Sequence, residues 1–235
     1  MKKVLFLLLL FCATKAFPQD IFNAIENKNY DQLTELVKTK DNVNARGKNK
    51  LTPLLRAVGL NDFKAVKILV ENGADITLTP NSGWTPLMLA CQSAGIEIAS
   101  YLIDEGADIN TKDEHNWCPI IIASRNGQTE IVALLIKKGV DVNSLAQDNS
   151  SSLLIASYKG HLDIVKLLLE NGAKTEFVDR DKETALFLAA QQGHAEIVKL
   201  LLQYHADKTF VGGKDGVSIC DAAKNAGYKD ICDLL

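Results

Sequence analysis

The sequence predicts an all-α repeat solenoid, built from short helix pairs and preceded by an N-terminal export segment. Three observations predict it. One six-residue opening occurs six times at a nearly constant step, an apolar block keeps register with it, and glycines punctuate both. A fixed period of this size is the mark of stacked supersecondary units.

In chain order, residues 1–16 come first. Lys2-Lys3 form a charged start, Val4 to Cys12 is an unbroken apolar run of nine, and small residues stand at Thr14 and Ala16. This pattern fits a secretory signal peptide cleaved after Ala16, and the run is too short to span a bilayer as a permanent helix. Cys12 offers an alternative, acylation and an envelope tether, but Phe11 precedes it where a bacterial lipoprotein signal has a small residue. The Lys-Lys start and short leucine-rich run point to a bacterial periplasm or exterior space.

The repeat fills the rest, a domain over 17–235. Thr85-Pro86-Leu87-Met88-Leu89-Ala90 recurs 33 residues earlier as Thr52-Pro53-Leu54-Leu55-Arg56-Ala57. It recurs later at Cys118-Pro119-Ile120, Ser151-Ser152-Leu153 and Thr184-Ala185-Leu186, and one step of 34 reaches Ser218-Ile219-Cys220. The threonine hydroxyl suits a helix N-cap and proline the first helical position. Gly127, Gly160 and Gly193 then end the first helix, where a left-handed backbone costs glycine nothing. A second helix carries Glu130-Ile131-Val132 through Leu134-Leu135-Ile136, matched at Asp163–Leu169 and Glu196–Leu202. Gly73, Gly106, Gly139 and Gly172 end it. Helices this short do not persist alone, so each unit depends on its neighbours. The units fall at about 19–46, 47–79, 80–112, 113–145, 146–178, 179–212 and 213–235. The first lacks an opening and reads as a degenerate N-terminal cap, with Asp31-Gln32-Leu33 in its second helix. Leu234-Leu235 lies in the second helix of the last, as in a C-terminal cap.

The Thr-Pro-Leu openings, the Gly-His turns and the Gly-Ala-Asp endings at this period resemble the ankyrin repeat over about residues 19–235. Three departures stand out. The family's histidine after Thr-Pro-Leu is replaced by Leu55, Met88, Ile121, Leu154 and Phe187. His205 stands in place of a terminating glycine, which implies a strained backbone. Ala94-Gly95 displaces the turn glycine by one, and Asn61-Asp62 replaces Gly-His.

The resemblance implies a hairpin finger ahead of each opening. Fingers and first helices together line a concave groove, where partners of such proteins bind. The finger positions are Asn81, Ser82 and Trp84; Glu114, His115 and Trp117; Gln147, Asp148 and Ser150; Arg180, Asp181 and Glu183. The first helices add Gln92-Ser93, Arg125-Asn126, Tyr158-Lys159 and Gln191-Gln192. Trp84 and Trp117 are the two tryptophans of the chain and sit 33 apart. With Arg125 and Tyr158 they form a predicted aromatic and cationic patch, since these residue types dominate binding hot spots. The other reading of the tryptophans is that their rings shield the neighbouring hairpin. The predicted contact set is Trp84, Trp117, Arg125, Tyr158, His115, Gln92, Arg180 and Gln191.

Catalytic chemistry is not apparent. His161 and His194 are turn histidines related by the repeat, with no ligand set for a metal. An enzyme or small-ligand site at His115, Cys118 and Arg125 is the alternative, but His115 and Cys118, though close in sequence, lack an orienting third group. No phosphate loop or dinucleotide fingerprint occurs, so no cofactor is expected. Cys91, Cys118, Cys220 and Cys232 occupy positions otherwise held by small or apolar residues and read as core thiols. In an oxidising compartment Cys220 and Cys232, facing each other across the last helical pair, have the alternative of a disulfide. Without Lys2, Lys3 and Lys15, 23 basic residues face 29 acidic ones. That acidic balance argues against nucleic acid as a partner. The expectation is an exported, monomeric, non-enzymatic module that binds a partner protein not identifiable from sequence.

Overall fold

The computed structural model describes residues 18–235 apart from Thr39 and Ala94; the proposed leader and Cys12 lie outside the described residues. The first unit is a helix pair, α1 (Pro18–Glu26) and α2 (Tyr30–Leu36), followed by a single turn, α3 (Lys40–Val43). Five further pairs follow. They are α4 (Pro53–Gly59) with α5 (Phe63–Glu71), α6 (Pro86–Gln92) with α7 (Ile96–Asp104), and α8 (Pro119–Arg125) with α9 (Thr129–Lys137). Then come α10 (Ser152–Lys159) with α11 (Leu162–Glu170), and α12 (Ala185–Gln191) with α13 (Ala195–Gln203). The last unit has strands β1 (Val211–Gly212) and β2 (Val217–Ser218), helix α14 (Ile219–Asn225) and a 3-10 turn over Lys229–Leu234.

The helix starts follow the predicted chemistry. Thr52, Thr85, Ser151, Thr184 and Ser218 hold extended backbone, and each hydroxyl accepts the N–H three residues on. Each bond satisfies one of the orphan donors of a helix N-terminus. Cys118 takes the same position without a side-chain bond.

Two columns of helices result. α1, α4, α6, α8, α10, α12 and α14 stack in order, and α2, α5, α7, α9, α11, α13 and the terminal 3-10 turn stack beside them. The repeat places like residues at each interface. Ala57, Ala90, Ala123, Ala156 and Ala189 are fully buried and let the first helices approach closely. Leu69, Leu102, Leu135, Leu168 and Leu201 are equally buried in the second column. Truncating one such leucine to alanine costs about 2–5 kcal/mol. The residues replacing the family's histidine, Leu55, Met88, Ile121, Leu154 and Phe187, are all at most 2% exposed. Each is an apolar side chain shielded from water, which is why the departure is tolerated.

Polar stitching joins the units. The His194 ring reaches back to the Tyr158 carbonyl at 3.1 Å, and His161 to that of Arg125 at 3.4 Å. Both bonds place the proton on Nε2, so these turn histidines are bonded to backbone. At the last interface Tyr228 plays this part, its ring lying against Gly193 as the His194 ring lies against Gly160. Asn143 donates to the Gly172 carbonyl and accepts the Lys174 N–H, and Asn44 does the same with Gly73 and Asp75.

Several local expectations change. The first unit has a complete first helix despite lacking the opening, because Ile21, Phe22, Ala24 and Ile25 pack into the core. Gly95 is not a displaced turn glycine: its φ is −79° and it caps α7, the role of Asp62, His161 and His194. The fingers are mostly tight turns. Among the described residues only β1 and β2 pair as strands, with one further bridge at Leu145–Ser151. Cys220 and Cys232 are joined by a disulfide rather than standing as separate core thiols, their Cα atoms 4.9 Å apart. His205 does hold the strained backbone anticipated for it, at φ 60°.

Candidate functional site

The fingers line up because they bond to one another through the backbone. The Asn81 N–H donates to the Asn49 carbonyl, Gln147 to His115, Arg180 to Asp148 and Gly213 to Lys182. Each tip needs one left-handed residue, supplied by Gly83, Asn116, Asn149 and Lys182 in turn. Along the face shared by fingers and first helices runs a chain of recesses whose lining residues overlap from one to the next.

The first recess, about 190 Å³, is lined by Trp84, Gln92, Trp117, Ile122, Arg125 and Asn126. The two tryptophans are thus brought together, as the spacing predicts. The Arg125 guanidinium lies over the Trp117 ring, 5.1 Å from its centroid. A second recess of about 270 Å³ shares Trp117 and Arg125 and adds Tyr158, Lys159 and Asp148. A third, about 380 Å³, carries Tyr158 on to Asp179, Asp181, Glu183 and Gln191. The fourth and largest, about 610 Å³, shares Asp181, Glu183 and Gln191 and ends on Lys214, Asp215 and Tyr228.

Not every predicted residue joins the groove. His115 and Arg180 are exposed and line none of these four recesses; their backbone groups serve the finger-to-finger bonds. Conversely, the largest recess was not anticipated. Its far wall comes from the last finger and α14, whose opening Ser218-Ile219 departs most from the motif. The wide Gly213–Gly216 turn and the step of 34 were the available signal.

The two tryptophans differ in their bonding. Trp84 donates its indole N–H to the Asp113 Oδ2 at 3.0 Å. Asp113 is 9% exposed and its other oxygen accepts the backbone N–H groups of His115 and Trp117, so it holds the finger's shape. The residue in the same relation to Trp117 is Ala146, which offers no carboxylate. Among the described residues the Trp117 indole N–H has no acceptor.

Charge is divided along the groove. Arg125 and Lys159 have no carboxylate partner among the described residues. Further on, Asp179, Asp181 and Glu183 crowd together. Partial burial and the charges of Asp179 and Asp181 push the Glu183 carboxyl above its usual range. Asp181 is paired with Lys214 at 3.4 Å.

Burial pushes the Cys118 thiol up, and the Cys91 thiol further, which suppresses the thiolate both nucleophilic attack and metal binding need. Among the described residues no group of three or more His, Cys, Asp or Glu is placed to hold a metal. No helix among them is long and apolar enough to cross a membrane.

Among curated proteins none matches the chain. A family model for ankyrin repeats matches it in three copies, over residues 21–113, 110–179 and 153–235. Ankyrin repeats are in general protein–protein interaction modules, and proteins built from them are typically not enzymes. With the match running through nearly all of the described residues and the helix pairs stacked in register, the chain belongs to the ankyrin-repeat family.

Proposed function

We propose that this protein is an exported interaction module that binds a partner protein through its concave face. The observation that carries the reading is the run of four overlapping recesses along fingers and first helices, with Trp84, Trp117, Arg125 and Tyr158 at its middle. Aromatic and arginine side chains in partly desolvated recesses are what binding hot spots are made of. Gln92 and Gln191 extend the contact set within the groove; His115 and Arg180 belong to its rim. The module acts as a monomer.

Export rests on residues 1–16 and draws support from the Cys220–Cys232 disulfide, a bond that persists in oxidising compartments. Mass spectrometry of the mature N-terminus tests it. Cleavage after Ala16 is the expected result, and an acylated Cys12 overturns free export in favour of a tether.

Binding is tested by affinity capture from the exported fraction, comparing wild type with Trp84→Ala/Trp117→Ala and Arg125→Ala/Tyr158→Ala. A species held by wild type and lost by both folded variants supports the concave face. Identical capture by all three sinks it.

A further inference from the structure

We propose that the groove takes an extended, dipolar segment of its partner: an acidic residue seated on Arg125 and Trp117, and basic residues over Asp181 and Glu183. The proposal rests on the concave-face reading and deepens it by naming the occupant's chemistry.

The acidic anchor follows from the donors in the middle of the groove. The Arg125 guanidinium lies over the Trp117 ring, yet no carboxylate of this chain pairs with it among the described residues. Beside it, the Trp117 indole N–H lacks the acceptor that Asp113 provides to Trp84. The amide of Gln92 completes the lining. Unpaired donors converging on one recess are complementary to a carboxylate, and a planar guanidinium grips one through two parallel bonds. Ring and arginine already constrain each other, so less freedom is lost on binding.

The basic anchor is a second and separate observation. Asp179, Asp181 and Glu183 come from one finger, where they alternate with the exposed Arg180 and Lys182; among the described residues Lys214 is the one cation within ion-pair distance of them, at Asp181. Partial burial and, after it, the charges of Asp179 and Asp181 keep the Glu183 carboxyl above its usual range, so a cation from outside would relieve the repulsive part of a cost already present. An acidic cluster alone selects no partner. Paired with a cationic recess in the same groove, it selects a ligand with opposite charges at a set spacing.

That spacing can be estimated. Arg125 and Glu183 belong to units two apart, and packed helices lie about 8–10 Å apart, which separates the anchors by roughly 20 Å. An extended chain covers that with about six residues at ~3.3 Å each. The shared lining of the intervening recess, from Tyr158 to Glu183, gives such a strand a continuous floor.

The test uses the full mature chain, its disulfide intact, and fluorescein-labelled synthetic peptides read by anisotropy at low ionic strength. The probe has two glutamates and three lysines separated by about six Gly and Ser residues, made in both chain directions. In one direction it should bind. Replacing its glutamates by glutamine should weaken binding about tenfold, as should Arg125→Ala, and the two losses should not add. Asp181→Asn/Glu183→Gln should weaken it about as much, and a two-residue spacer should abolish the advantage of carrying both charges. Equal binding to wild type and Arg125→Ala, with affinity following lysine content alone, overturns the dipolar occupant while leaving the groove in place. If instead Glu97→Gln/Glu130→Gln/Asp163→Asn, on the exposed second helices, matters as much as the groove variants, the concave-face reading falls too. Absence of binding by every peptide also overturns the proposal.

Discussion

Trp84 donates its indole N–H to Asp113 at 3.0 Å, tying one finger to the next. Trp117, at the same position one repeat on, meets the Arg125 guanidinium instead. Two residues with one place in the motif thus have different duties. Asp113→Ala should cost about 1–3 kcal/mol, because it strands two part-buried N–H groups and the Trp84 indole. Trp84→Ala should also destabilise, whereas Trp117→Ala should change stability less and partner binding more. Urea denaturation of the three variants, beside capture of the partner, separates these outcomes.

Glycine positions should respond according to what faces them. Gly160 has φ +79°, and a Cβ there would sit 2.6 Å from the His194 Cε1. Gly172 has φ +82° with open space around it. Gly172→Ala should therefore cost only the left-handed strain, about 1 kcal/mol, and Gly160→Ala distinctly more. The converse holds at His205, whose φ is 60°. His205→Gly should raise stability by a few tenths to about 1 kcal/mol, measured by thermal or urea unfolding.

The disulfide should matter locally. Cys220 and Cys232 are 12 residues apart, and a loop of that order gains about 3 kcal/mol from closure. Cys220→Ser/Cys232→Ser should loosen the 3-10 turn and α14 before the rest. Hydrogen exchange should show lost protection confined to the last unit. Thiol titration of the denatured, unreduced mature chain should find two free thiols, Cys91 and Cys118.

Glu183 gives a pH dependence of definite sign. Its carboxyl is raised above the usual range by partial burial and by Asp179 and Asp181. The folded state therefore binds more protons than the unfolded one between the ordinary glutamate value and the raised one. Stability falls as pH rises through that window. Glu183→Gln should remove this fall and stabilise the protein at neutral pH. Asp75 acts oppositely: the Thr77 hydroxyl and N–H hold its carboxyl below the usual range, so its contribution is lost on acidification. Unfolding midpoints across pH for wild type and Glu183→Gln check the first effect.

The period of 33 made the helix pairs, the caps at Thr52 and Thr85, and the turn histidines legible in the sequence, because each is a local rule repeated in register. The first helix of the first unit was not legible, since Ile21, Phe22 and Ile25 form an apolar face without the opening motif. Within the groove the meeting of Trp84 and Trp117 followed from their spacing. Their different bonding did not, because it depends on the residue 29 positions on, Asp113 in one case and Ala146 in the other. That relation has meaning only once neighbouring fingers are docked. The disulfide stayed open in the sequence because it turns on how closely α14 and the terminal turn approach. The largest recess was missed because the last finger widens where the motif is weakest.

The disulfide leaves the solenoid with unequal ends. Each unit touches only its neighbours, so unravelling starts at a terminus and travels inward one unit at a time. At the C-terminal end the cross-link braces the last unit internally, and that unit is docked by a tyrosine laid against Gly193 and a bond from Lys208 to the Leu235 carbonyl. The N-terminal unit is held by packing and a few polar contacts, among them the Tyr30 hydroxyl on Asp62. Among the described residues the last unit is therefore braced by a covalent bond where the first is held by packing and polar contacts. The acidic recesses lie toward the last unit, so loosening of the first unit leaves that part of the groove in shape.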